Sequence, residues 1–160
     1  ADLMFSRFGV MFFADPVASF ANMRRALKAG ARLAFVAWRE ARLNPWSMVP
    51  LQAAYKHVPK LPVPGPDDPG QFSFGSEERL RRILAGAGFT DIDIRPHEIM
   101  FDLAIGRGLE AAVAMMMKLG PVVRATLDRS ATEIAAVEAS IREELSAHAD
   151  GNSVRLPGAG

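Results

Sequence analysis

The period of the apolar positions changes several times along this chain, and each change marks an element. In the opening stretch, "ADLMFSRFGVMFFADP", the residues from Asp2 to Phe5 are apolar on both sides of any alternation, which predicts a short strand buried on both faces. A strand of that kind needs a neighbour on each edge, so the expectation is a fragment, or a partner strand supplied from elsewhere. Asp15-Pro16 then predicts a helix start, with an acceptor side chain at the cap and a residue that loses no N–H at the first helical position. Val17, Phe20, Met23 and Leu27 recur at intervals of three and four, opposite a face with Asn22 and Arg25, as an amphipathic helix requires. Lys28-Ala29-Gly30 closes it with a cation and a glycine able to take positive φ. A second apolar run, Arg32 to Trp38, completes strand, helix, strand, so the two strands should be parallel with a right-handed crossover.

From Arg39 to Gly75 the pattern loosens into a proline-rich excursion with one short helix, about Pro45 to His57. Such a long loop in a compact domain is more often a lid or binding element than a connector. A helix follows Ser76, with Glu77 and Glu78 in its first turn, Leu80, Ile83, Leu84 and Ala87 on one face, and Gly88 as its stop. The stretch Asp91 to Leu103 alternates, but Pro96 breaks it and suggests a bend or an edge. Its first part, Asp91 to Arg95, is expected to be a third parallel strand, less buried than the first two. Leu109, Ala112, Val113 and Met116 mark a further helix, Gly120-Pro121 opens a short one, and Ser130 with Glu133 makes a capping box ahead of Ile134, Val137, Ile141 and Leu145. Residues from Asn152 onward begin another strand. The expectation is a three-layer α/β domain over 1–160, with a sheet-forming part at 1–103 and helices at 104–150 capping the substrate side.

Composition removes several function classes. The 160 residues are 49% hydrophobic, enough for one core, and 19 Lys and Arg against 18 Asp and Glu gather into no block. That excludes a nucleic-acid or membrane-surface face as the expected partner. With no cysteine there are no disulfides, thiolate metal sites or Cys nucleophile. No charge-free apolar run of spanning length and no signal peptide stand out, so the cytoplasm is the expected location. His57, His97 and His148 lie apart with no metal-ligand spacing. Each reads as a surface or loop residue, with His97-Glu98 as a weaker candidate general base.

Two stretches together carry a resemblance. "DLMFSRFGVMFFADPVASFANMRRALKAGARLAFVAW" and "RLRRILAGAGFTDIDI" resemble the second half of class I S-adenosylmethionine-dependent methyltransferases of the ubiquinone/menaquinone-biosynthesis type. The matching elements are Asp2 opening a strand, the turn Ser6 to Phe13, Arg25-Ala26-Leu27, Lys28-Ala29-Gly30-Ala31, the strand Leu33 to Trp38, and a Gly-Phe pair before a further strand. Ala29 and Ala31 stand where the family has Pro and a second Gly. The resemblance implies a Rossmann-like sheet of which this chain carries strands four to six of seven, with extra C-terminal helices. It also implies S-adenosyl-L-methionine as cofactor and a small-molecule methyl acceptor. The family's glycine-rich loop is absent; Gly106-Arg107-Gly108 has no buried strand directly before it and reads as a turn leading into a helix.

By this resemblance Ser6, Arg7 and Phe8, at the carboxyl end of the first parallel strand, and Met11 border the methionine part of the cofactor. Aromatic faces and soft sulfur both receive a sulfonium cation. Phe12, Trp38 and Trp46 are candidate walls of an acceptor pocket, and for each of these side chains, as for Met115-Met116-Met117, core packing is the alternative. Two other readings stand beside methyl transfer: a binding or homo-oligomerisation module pairing through exposed sheet edges, and a different doubly wound enzyme such as a nucleotide-dependent reductase.

Overall fold

A computed structural model describes residues 1–65 and 67–160. The chain is mixed α/β and divides into two compact units, one of Ala1–Glu40, Pro64–His97 and Ala159–Gly160, the other of Ala41–Val63 and Glu98–Gly158.

In the first unit, β1 (Leu3–Arg7) and β2 (Arg32–Val36) pair in parallel, from Leu3 opposite Arg32 to Arg7 opposite Val36. The crossover contains α1 (Pro16–Arg25), whose cap is the one its sequence dictates: Asp15 Oδ1 accepts the Ala18 N–H at 2.9 Å, and Pro16 follows. Gly30 turns the chain back with φ of 75°. Helix α3 (Glu77–Gly86) starts at Ser76, whose hydroxyl accepts the Arg79 N–H; between α1 and α3 the chain passes through α2 (Pro45–Ala54) of the second unit. Phe20, fully buried on α1, meets Phe13, Phe35 and Phe74 at ring-centroid distances of 5.4–6.0 Å and forms the aromatic core of this unit.

Three expectations for the strands are corrected. The first strand runs from Leu3 to Arg7 rather than Asp2 to Phe5, and β2 ends at Val36, before Trp38. Neither is buried on both faces. Both alternate between exposed and half-buried residues, and Leu3 and Phe5 are 60% and 63% exposed. The reason is cover: Phe35 turns toward Phe20 of α1, whereas the face with Leu3, Phe5 and Val36 has no layer over it among the described residues. Finally, Asp91–Arg95 joins no ladder, and Asp91 lies in the left-handed region at φ of 53°; the strand is β3 (Glu98–Asp102). Pro96 has no N–H to donate, and the Ile92 carbonyl is taken by the Arg81 guanidinium at 2.8 Å.

The second unit is built on helices. α2 packs on α5 (Gly120–Thr126) and α6 (Ala131–Ser146), and α4 (Leu109–Met116) packs on α6. Val113, Met116, Val137, Ile141 and Leu145 fill the core, with Met115 and Met117 packed against it. The capping box forms as expected: Glu133 takes the Ser130 N–H at 2.9 Å and the Ser130 hydroxyl takes the Glu133 N–H at 3.3 Å. Gly108, at φ of 83°, is the residue before α4, in line with reading Gly106-Arg107-Gly108 as a turn into a helix. β3, β5 (Ser153–Ala159) and β4 (Ala149–Asp150) form a sheet in the order β3-β5-β4, with Ala149 antiparallel to Val154. Among the described residues no helix is long and apolar enough to cross a membrane.

Asp102 fastens this sheet to the turn before α4. One carboxylate oxygen accepts the Ala104 and Val154 N–H groups at 3.0 and 3.1 Å; the other accepts the Gly106 N–H and the Ser153 hydroxyl, both at 3.1 Å. Desolvation works to raise the Asp102 pKa, but the four donors together outweigh it and hold the carboxyl below its ordinary value of 3.8. A depressed folded-state pKa adds stability above the unfolded value and loses it as pH falls through the folded one. The thermal midpoint is therefore expected to drop on acidification below about pH 4, and Asp102→Asn, which has no such proton to bind, should lack that part of the drop in a calorimetric pH series.

Candidate functional site

β1 ends in an abrupt change of direction. The Phe8 N–H still donates to Val36 O at 3.0 Å, adding one rung to the parallel ladder, but Phe8 itself lies at φ of 58°. A bulky residue in the left-handed region carries strain that its surroundings must hold. The surroundings are specific: the Phe8 ring stacks on Trp38, centroids 4.1 Å apart and planes within 10°. Gly9 follows, and a Cβ there would lie 3.2 Å from Ser6 Oγ. The chain then makes a single 3-10 turn, Val10–Phe12, that carries Met11 inward.

Met11, 1% exposed, is the hub. Its sulfur accepts the Trp38 backbone N–H at 3.3 Å, and its carbonyl accepts the Gly70 N–H at 3.0 Å and the Ser73 hydroxyl at 2.7 Å. The Gly70–Gly75 turn is itself tied down by Arg79, which donates to the Ser73 carbonyl and to Asp67 and lies over the Phe74 ring. Strand-end strain, ring stack, buried sulfur and a strapped loop thus meet at the carboxyl ends of two parallel strands, where open α/β sheets place ligands.

The seven candidate residues are not gathered equally. Phe8, Met11 and Trp38 come together, and Ser6 sits beside them on the half-buried face of β1. Arg7 falls on the exposed face with Leu3 and Phe5, and Phe12 is exposed at the end of its turn. Trp46 belongs to the second unit, where its indole N–H donates to Asn44 Oδ1 at 3.0 Å and its ring meets Phe101. Gly70, Ser73 and Arg79 were not foreseen; they lie some sixty residues from Met11, and the sole local signal was a Ser and Gly turn ahead of a capped helix. Among the described residues no group of three His, Asp or Glu side chains is placed to hold a metal ion. A cavity of about 1480 Å³ in the same unit runs along β2, and none of the seven candidates lines it.

No protein-family model matches the chain, and no curated protein matches it.

Proposed function

We propose that these residues serve S-adenosylmethionine-dependent methyl transfer to a small-molecule acceptor, on a three-layer Rossmann-like sheet. The observation that carries this reading is Phe8, held at positive φ at the end of β1 and stacked on Trp38. The residues suit such a donor: a half-buried aromatic ring at the strand ends favours a sulfonium cation, and the Ser6 hydroxyl is a polar neighbour. Met11 suits a different role than contact, because its sulfur is turned to the Trp38 N–H and its backbone holds the loop, so it braces the rings from behind. Trp38, 8% exposed, likewise acts as the platform for Phe8. The sulfonium, when bound, supplies an already activated methyl group. What remains for the protein is to orient donor and acceptor and to exclude water.

The test is calorimetric titration of S-adenosylmethionine into the whole polypeptide that contains these residues. Binding is expected, and Phe8→Ala should weaken it about tenfold, the scale of a desolvated cation–π contact. No heat of binding would overturn the proposal.

A second reading, assembly of copies through the β1–β2 sheet, is favoured by the exposed row of Leu3, Phe5 and Val36. Light scattering that finds a monomer across a wide concentration range would remove it.

A further inference from the structure

Arg79 stands where its own helix has no use for it. The run Ser76-Glu77-Glu78-Arg79 puts it three residues after a serine cap, the position a capping box gives to Glu or Gln, and the positive end of the helix dipole disfavours a cation there. Glu77 and Glu78 of the same turn pair with Arg81 and Arg82. The Arg79 side chain is nevertheless only 12% exposed, against 87% for Asp67, its ionic partner. A guanidinium withdrawn this far from water needs partners for its donors, and one segment provides them. Nε donates to the Asp67 carboxylate and Nη2 to the Asp67 carbonyl, both at 3.3 Å, Nη1 donates to the Ser73 carbonyl, and the cation lies 6.0 Å from the centre of the Phe74 ring.

That segment, Asp67 to Gly75, crosses the ends of both parallel strands. After β1, the Met11 carbonyl receives the Gly70 N–H and the Ser73 hydroxyl. After β2, the chain at Arg39 and Glu40 runs so close to Gly75 that a Cβ there would lie 2.8 Å from the Glu40 nitrogen. Phe74 pins one end of the segment in the aromatic core. Between Gly70 and Gly75 the backbone is held to itself by turn bonds, Ser73 N–H to Gly70 O and Gly75 N–H to Phe72 O at 3.0 Å each, and it belongs to no helix or strand. Asp67, Asp68 and Pro69 are exposed. Segments built in this way open locally, well short of global unfolding.

We propose that residues 67–75 are a gate across the strand-end site and that Arg79 is the positioning residue that latches it. With the guanidinium on Asp67 and Ser73 the gate is shut against Met11; with the guanidinium released, the segment swings on Phe74 and opens the strand ends to solvent. The gate rests on the reading of those ends as a ligand site, and it supplies the exclusion of water that methyl transfer needs. A ligand enclosed by the shut gate and the shut state favour one another. The latch requires a planar fork, because three different nitrogens of Arg79 meet the Asp67 carboxylate, the Asp67 carbonyl and the Ser73 carbonyl; the single nitrogen of a lysine cannot meet them at once.

Amide hydrogen exchange of the whole polypeptide without ligand tests the latch. Arg79→Lys is expected to speed exchange at Gly70, Ser73 and Gly75 about tenfold, the scale of hydrogen bonds to a charged group. Asp67→Ala, a surface change that leaves the core intact, is expected to speed the same amides about threefold. In both variants the amides of α1 and of the β1–β2 pairing exchange as in the parent. Equal rates in parent and variants overturn the gate, and so does a rise shared by α1 and the β1–β2 pairing, which would make Arg79 an ordinary prop of the fold. In the parent, saturation with S-adenosylmethionine is expected to slow Gly70, Ser73 and Gly75 about tenfold. A parent that binds it without slowing them overturns the gate and leaves the methyl-transfer reading standing; a parent that binds none overturns that reading, and the two variants then decide the latch by themselves.

Discussion

Replacing Gly158 with alanine is expected to lower the stability of the chain by about 3 kcal/mol, the upper end of what overpacking costs. Gly158 is buried in β5, and a Cβ there would lie 2.5 Å from Phe101 Cε2 and 2.7 Å from Trp46 Cδ1. Neither ring yields easily. Trp46 is fixed by its bond to Asn44, which is itself fully buried, and the two rings pack on each other at 5.5 Å. Urea denaturation followed by tryptophan fluorescence measures the loss. Shortening one obstacle should return part of it: Gly158→Ala with Phe101→Leu is expected to be more stable than the sum of the single changes, a coupling that contact through the same space requires. If alanine at 158 is neutral, the approach of the rings to β5 is looser than described.

The helices were legible because their signals are local. Asp15-Pro16, Ser76 and the Ser130–Glu133 box each place a capping acceptor within three residues of the N–H it satisfies, and no distant residue is needed to complete them. The parallel pairing of β1 with β2 was legible for a related reason, since a short strand, helix, strand unit admits essentially one hand and direction. For the Met115-Met116-Met117 run the alternative reading, core packing, is the one the structure shows for Met116, which is buried with Val113 and Ile141 while Met115 and Met117 pack against them.

What failed was burial and pairing. Uniform apolarity from Leu3 to Phe5 predicts cover on both faces, but cover is supplied by elements far away in sequence, and α1 reaches only one side. The alternation over Ile92 and Ile94 predicts a strand, yet a ladder needs a partner at the right register, and here the first paired backbone is His97 with Gly160, across Pro96. The site was legible to the extent that it is local: the turn from Ser6 to Phe12 brings Phe8 and Met11 to the strand ends. The strap formed by Gly70, Ser73 and Arg79 was invisible, because its bonds to Met11 are to a carbonyl oxygen, and a carbonyl is common to every residue type.

Met11 separates the structural and functional sides of this site. Met11→Ala is expected to cost about 2–5 kcal/mol, the range for truncating a buried methionine, because the side chain is almost wholly buried and its sulfur is the acceptor of the Trp38 N–H. The carbonyl that holds Gly70 and Ser73 survives any substitution, so the strap itself should not be released. Met11→Leu keeps the volume and gives up the sulfur, and should cost under about 1.5 kcal/mol; thermal unfolding of the two variants side by side measures the difference. The leucine variant then carries the functional argument. On the proposed methyl-transfer reading, and with methionine only bracing the rings, Met11→Leu is expected to bind S-adenosylmethionine as tightly as the parent, while Phe8→Ala is expected to bind it more weakly. If the leucine variant loses affinity to the same degree as Phe8→Ala, the sulfur meets the cation directly, and the wall of the site lies one residue layer deeper than the stack of Phe8 on Trp38.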